Sequence, residues 1–316
     1  MTETYPPEVN GVAMTLQRLV HGLAERGHGI TVVRPRPREG DARLDDDARV
    51  RIEVVRGLPI PCYRELRFGL PSARLLGRLW RAGRSVLVHV ATEGPLGHSA
   101  ARAAQRLGIP LTTSLHTNFH TYASIYTIGP LRALALAWLK RVHANAACTF
   151  VPSETARQAL STAGFQNLEV LGRGVDTRLF GPSRRSDELR RSWGATDQTS
   201  VALYVGRLAP EKNLELTVKA FEVMRRERPE MRLVLVGDGP SRKRLEREHP
   251  DYRFAGMRRG ADLATHYASG DVFLFASETE TFGNVVTEAM ASGLLVLAYD
   301  YAAARLHIRS GHNGVK

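Results

Sequence analysis

Short apolar, β-branched runs alternate with helical patterns along nearly the whole chain, and this alternation constrains the fold more than any other feature. The runs are "GITVVR" (29–34), "RIEVV" (51–55), "SVLVHV" (85–90), "IPLTTSL" (109–115), "ACTFVP" (147–152) and "LEVLG" (168–172), with helical patterns at 11–26, 72–82, 96–107, 130–145 and 153–163 between most of them. A polar connection at 181–200, with room for one short helix, interrupts the rhythm. It restarts with strands at 201–206, 232–237, 252–256, 271–276 and 294–299 and helices at 213–227, 240–248, 260–269 and 283–291. Strand–helix–strand repetition lays strands parallel and covers both sheet faces with helices. The expected fold is α/β, with two Rossmann-like domains and a cleft between them: 1–180, a linker at 181–200, and 201–316.

Composition narrows the class. No apolar run approaches the ~18 residues that span a bilayer. The opening "MTETYPPEVNG" is acidic and Pro-rich, unlike a signal peptide. Cys62 and Cys148 lie far apart without metal-ligand spacing, which fits a reducing compartment and core packing. The net charge of +12 is carried mostly by arginine and is uneven: Arg56, Arg64, Arg67, Arg74, Arg78, Arg81 and Arg84 face a single acid, Glu65. Such a surface attracts phosphate in nucleic acid, anionic lipid or nucleotide, or is simply a solvated face. Nucleic acid fits poorly, because no aromatic-basic module accompanies the charge.

Ligands of open α/β sheets bind where strands end and loops feed helices. "ETETFGNVVTEAMASG" (278–293) occupies such a place. The helix N-terminus offers free N–H groups to a phosphate. Gly283 permits close backbone approach, Glu280 could accept from sugar hydroxyls, and Glu288 from a ribose; the bland alternative is two solvent acids. In "YVGRLAPEKNLEL" (204–216), Arg207 and Lys212 either clamp a diphosphate, stabilising a leaving nucleotide, or are solvated loop cations. "LVGDGPSRKRLE" (235–246) brings Gly237, Asp238 and Gly239 into a strand–loop–helix turn that could equally be a plain turn. "SLHTNFHTY" (114–122) supplies His116, Asn118, His120 and Tyr122. His116 could contact a sugar or polarise a leaving group; a His116–His120 metal pair lacks a third ligand; structural histidines remain open. "PSARLLGRLWR" (71–81) sets Leu75, Leu76 and Leu79 on one side and Arg74, Arg78 and Arg81 on another, with Trp80 near the boundary. That is a membrane-surface helix or an amphipathic helix packed on the sheet.

Together, "ETYPPEVNG", "GRGVDTRLF", "VGRLAPEKN", "LVGDGP" and "SETETFGNVVTEAMASG" resemble, in order and over nearly the whole chain, the motifs of family 4 glycosyltransferases, which have the GT-B fold. "HVATEGPLG" and "SLHTNFHTYA" resemble the branch of bacterial lipid mannosyltransferases and sulfoquinovosyl diacylglycerol synthases. The resemblance implies metal-independent, retaining transfer of a hexose from a nucleotide-diphosphate sugar, with GDP-mannose favoured over UDP-hexoses. The acceptor would be a lipid or glycan at the cytoplasmic membrane face, and no cofactor is implied, the nucleotide sugar being a substrate. Arg207 and Lys212 would hold the diphosphate and Glu288 the ribose. Glu280 and the amides of Phe282, Gly283 and Asn284 would hold the sugar and distal phosphate. The Gly11 loop would close on the phosphate, and His116 would meet the sugar near its reacting carbon. An anionic membrane would meet Arg74, Arg78 and Arg81.

The resemblance also implies a strand before "ETYPPEVNG" and a last helix beyond "HNGVK"; neither is in this sequence, so a fragment less stable and less active than a complete relative is expected. Two other readings stand beside the transferase: a non-catalytic nucleotide- or glycan-binding relic, and a GT-B-like sugar-nucleotide epimerase.

Overall fold

A computed structural model describes residues 1–8, 10–37, 48–60, 63–83, 85–116, 129–278 and 280–316. The chain forms two compact units, Met1–Gly172 and Arg173–Lys316.

The first unit runs α1 (Gly11–Glu25), β1 (Ile30–Pro35), β2 (Val50–Val55), β3 (Gly57–Ile60), β4 (Tyr63–Gly69), α2 (Ala73–Gly83), β5 (Val88–Val90), α3 (Pro95–Arg106), β6 (Leu111–Ser114), α4 (Gly129–His143), β7 (Cys148–Val151), α5 (Glu154–Thr162) and β8 (Leu168–Val170). Strands β5, β6, β7 and β8 form one parallel sheet and β1 and β2 another, while β3 and β4 pair antiparallel. Residues 1 and 2 lie between the two parallel sheets. Thr2 N–H donates to Val33 O (3.1 Å), Ala91 N–H donates to Met1 O (2.9 Å), and the Met1 ammonium donates to His89 O (2.9 Å). Leu76 and Trp80 of α2, Val88 and Val90 of β5, and Leu96, Ala100 and Ala104 of α3 meet in its main core. The small side chains of α3 let it lie close to the sheet: a Cβ on Gly97 would fall 2.0 Å from Thr92 O.

The second unit runs α6 (Asp187–Ser192), β9 (Val201–Val205), α7 (Leu214–Glu227), β10 (Arg232–Val236), α8 (Arg242–Glu248), β11 (Arg253–Gly256), α9 (Gly260–Ala268), β12 (Val272–Phe275), α10 (Asn284–Ala291), β13 (Leu295–Ala298), α11 (Ala302–His307) and β14 (Gly314–Val315). Its six strands are all parallel, in the order β11-β10-β9-β12-β13-β14. Every residue of β9 is buried, as a central strand covered on both faces requires. The chain winds outward from β9 to β11, then restarts at β12 on the other side of β9. Loops after β9 and β12 therefore diverge from adjacent strands and leave a crevice, the switch point where such sheets bind ligands.

The strands and helices expected from the sequence are present, most with ends moved by one or two residues. The pair β3–β4 and helix α11 were not expected. The stretch 181–200, read as a linker, is bound into the second unit, and the units divide earlier, at Gly172–Arg173. The physical cause is Arg190 on α6, which is 2% exposed. It donates to Ser269 O (2.8 Å), Thr196 O (3.0 Å) and Thr199 O (2.6 Å) and pairs with Asp271 (3.1 Å). A buried guanidinium with that set of partners fastens its segment to the sheet.

Candidate active site

The loop after β9 carries Arg207 and then Lys212, which ends a single 3-10 turn, Pro210–Lys212. Asn213 follows in the left-handed conformation (φ 52°) and turns the chain into α7. The loop's start is fixed from below by Tyr204, fully buried, whose hydroxyl donates to Arg207 O (3.0 Å). Burial, and then the nearby Glu280 and Glu211, push the Tyr204 phenol well above its ordinary pKa, so it stays a neutral donor. The Arg207 guanidinium lies 3.6 Å from Glu211.

Across the switch point, the loop after β12 brings Glu280 to Lys212. Lys212 Nζ donates to Glu280 Oε1 at 2.5 Å, and Ser277 Oγ donates to the same oxygen at 2.9 Å. Both partners of this ion pair are 19% exposed, which places it at the lip of the crevice rather than in the core. Phe282 is buried, and Gly283 has φ +84°, a conformation that L side chains rarely adopt. That twist starts α10 at Asn284 directly beside Glu280: a Cβ on Gly283 would lie 3.5 Å from Glu280 Cγ. Glu288 is 8% exposed and accepts from the hydroxyl of Tyr267 on α9 (3.2 Å). The reading of Glu288 as a solvent acid is therefore overturned by its burial.

Arg173 joins this cluster. Its guanidinium carbon stands 5.8 Å from the centre of the Phe282 ring. Burial lowers its pKa to about 10, and Glu280 acts in the opposite direction. Its sequence signal was its place inside "GRGVD", where no role was assigned to it.

Gly237 and Gly239 lie on the loop after β10. A Cβ on Gly237 (φ +136°) would fall 1.9 Å from Gly206 O, and one on Gly239 would fall 2.4 Å from Leu208 O. The two glycines let the loops after β9 and β10 pack backbone on backbone. Asp238 accepts from Gly239 N–H (2.7 Å) and pairs with Arg242 (3.2 Å), so it braces its own turn.

In the first unit, Asn10 caps α1 by accepting from Val12 N–H (3.1 Å) and Ala13 N–H (2.9 Å). Gly11 is the first helical residue and is exposed, and a Cβ there would meet nothing within 4 Å. The preceding loop is tied down by Arg34, 2% exposed, which donates to Tyr5 O (2.7 Å) and to Pro6 O and pairs with Glu8 (3.1 Å). Glu3 accepts from Leu96 N–H (3.1 Å) at the start of α3 and from Gly69 N–H. Burial raises its pKa to about 7, against those amides and the Met1 ammonium, which act to lower it. None of Asn10, Arg34 and Glu3 was singled out from sequence. His116 follows β6, and its Nε2 lies 2.8 Å from Ser114 Oγ.

Arg74, Arg78 and Arg81 are exposed on α2, whose other face buries Leu76 and Trp80. Asn118, His120, Tyr122 and Cys62 lie outside the described residues. Among the described residues no group of three or more His, Cys, Asp or Glu is arranged to hold a metal, and no helix is long and apolar enough to cross a membrane.

Residues 9–179 match the family model described as Glycosyltransferase Family 4, and residues 199–316 match that described as Glycosyl transferases group 1. The chain belongs to glycosyltransferase family 4. Like its family, it is a hexosyltransferase, and its fold is the α/β two-domain GT-B type. It is similar to a GDP-mannose-dependent alpha-mannosyltransferase of Mycolicibacterium smegmatis, 37% identical over 309 residues, covering 96% of this chain and 80% of the relative. It is also similar to the sulfoquinovosyl transferase SQD2 of Arabidopsis thaliana, 32% identical over 297 residues, covering 92% of this chain and 56% of the relative. The fold is that of Anabaena HepE, solved with UDP and glucose, at a TM-score of 0.74 and 20% identity, covering 99% of this chain and 83% of that one.

Proposed function

We propose that this family 4 glycosyltransferase moves mannose from GDP-mannose, with retention, to a lipid or glycan acceptor at a cytoplasmic membrane surface. The observation that carries the donor site is the Lys212–Glu280 contact at the switch point between β9 and β12. It puts a cation and a carboxylate side by side where a nucleotide sugar presents its diphosphate and its hydroxyls. Lys212, with Arg207, neutralises the diphosphate as the glycosidic bond breaks. Glu280 accepts from sugar hydroxyls while Lys212 and Ser277 hold its carboxylate in place. The N–H groups at the start of α10, around Phe282, Gly283 and Asn284, receive the distal phosphate and sugar. Buried Glu288, braced by Tyr267, takes the ribose hydroxyls. Gly11 meets phosphate, and His116 contacts the transferred sugar. The departing phosphate deprotonates the acceptor on the face it leaves, so no protein nucleophile is required.

GDP-mannose is favoured over UDP donors because the 37% identical relative is named for GDP-mannose. The membrane part rests on the exposed row Arg74, Arg78 and Arg81 and on the lipid synthases among the relatives, such as alpha-monoglucosyldiacylglycerol synthase of Streptococcus pneumoniae.

Thermal-shift and calorimetric titration with GDP, UDP and ADP tests the donor site. GDP should stabilise the protein selectively. Arg207→Ala and Lys212→Ala should each weaken GDP roughly 10-fold or more, the loss of a charge-assisted hydrogen bond. Selective stabilisation by UDP would replace the base assignment, and no response to any nucleotide would sink the donor site itself.

A further inference from the structure

His89 and His116 belong to one hydrogen-bonded chain. His89 lies on β5, in register with Thr112 of the neighbouring strand β6. Thr112, Ser114 and His116 are spaced by two, so they share one face of β6 and its extension. The His89 ring spans the first two: Nδ1 is 3.0 Å from Thr112 Oγ1, and Nε2 is 3.1 Å from Ser114 Oγ. Ser114 Oγ is in turn 2.8 Å from His116 Nε2. Ser114 is 4% exposed.

A neutral imidazole has one N–H and one bare nitrogen, and a serine hydroxyl has one proton. Those counts couple the chain. If Ser114 donates to His116, it must accept from His89, and His89 must then accept from Thr112. If His116 donates to Ser114, the serine proton is released to point at His89, which reverses the remaining bonds, or the serine oxygen accepts from both rings. His89 stays neutral near physiological pH, because burial, and then the Met1 ammonium, hold its pKa down to about 4. It therefore always offers one donor and one acceptor to its two hydroxyls.

We propose that His89 and Ser114 are positioning residues that set which nitrogen of His116 carries its proton. This rests on the reading of His116 as a contact to the transferred sugar. A histidine at a reacting carbon is useful only with the correct nitrogen protonated, since one tautomer donates where the other accepts. The sequence alone gave no role to His89, and its link to His116 runs across two strands.

The test uses the whole chain labelled with 15N at histidine. In the wild type, the His116 ring nitrogens should show the separated shifts of a single tautomer. Ser114→Ala should collapse them toward the averaged values of exchanging tautomers and lower kcat about 10-fold or more at nearly unchanged donor KM. Ser114→Thr, which keeps a hydroxyl, should restore the single tautomer, and His89→Phe should reproduce the alanine variant. An unchanged His116 spectrum in Ser114→Ala would overturn the proposal, as would exchanging tautomers in the wild type. His116→Gln separates the two readings. If it turns over like wild type, the sugar contact at His116 is wrong; if it is slow while Ser114→Ala is fully active, the relay is wrong.

Discussion

At the scale of single residues, Glu3 shows how burial writes itself into stability. Its carboxyl has a folded-state pKa near 7 against an ordinary 4.5 because the loop takes it out of water. A carboxyl whose pKa rises on folding binds its proton more tightly in the folded chain. Its stabilising contribution is complete below about pH 4.5 and is lost as pH rises through about 7. The shift corresponds to at most about 3 kcal/mol. The Met1 ammonium, lowered to about 6 by burial, works in the opposite direction as pH rises through 6 to 8, so the useful quantity is a difference. Between pH 4.5 and 8, wild type should lose stability relative to Glu3→Gln, read as urea-unfolding midpoints. Parallel pH profiles for the two proteins would refute the assignment. Nothing in "TETYPP" announces any of this: a carboxylate at the third residue has no periodic context, and its environment is assembled from Gly69 and Leu96, distant in sequence. Arg207, Lys212, Glu280 and Glu288 could be singled out for the opposite reason, since the pattern itself locates the strand ends that carry the first three and the helix that carries the last. What the pattern did not contain was their pairing. The 2.5 Å Lys212–Glu280 contact exists because β9 and β12 are neighbours, a fact of strand order rather than spacing.

At the scale of elements, the alternation of strands and helices was readable because buried parallel strands are continuous apolar runs. The pair β3–β4 was not, because Pro59 and the arginines of that stretch carry no such run. Glycines separate two kinds of loop. Gly237 sits in backbone contact with Gly206, at φ +136°. Gly237→Ala must displace one loop or the other, and should cost roughly 2–4 kcal/mol from steric overlap and backbone strain together. It should also weaken GDP, because the backbone it strikes, at Gly206, leads into the loop that bears Arg207 and Lys212. Gly11 stands in open space at a helix start. Gly11→Ala should leave stability unchanged or improve it by up to about 1 kcal/mol, since alanine is the better helix former. If Gly11 meets the donor phosphate, the same variant should raise donor KM. Calorimetric unfolding with donor kinetics on both variants distinguishes a glycine needed for folding from one needed for approach. Equal stability losses would refute the distinction.

At the scale of the molecule, a net charge of +12 draws the protein toward any anionic surface, and the question is whether that attraction has an address. Helix α2 offers one. Leu76 and Trp80 anchor it in the core while Arg74, Arg78 and Arg81 stand in solvent along the other side. The described helices contain no membrane span, so the contact proposed here is between surfaces. Each arginine near an anionic bilayer contributes about 1 kcal/mol. Replacing all three by glutamine should therefore weaken sedimentation with phosphatidylglycerol vesicles roughly 100-fold. The exposed helix face should tolerate the change without loss of GDP binding. A control with the same charge loss elsewhere, Arg226→Gln, Arg228→Gln and Lys243→Gln, removes three exposed cations of the second unit. If binding followed net charge alone, the two triple variants would weaken alike. If α2 is the address, the first loses vesicle binding and the second largely keeps it, and both bind weakly at 1 M salt, where the Debye length falls to about 3 Å. Equal losses would leave the protein a generally basic enzyme with no docking face on α2.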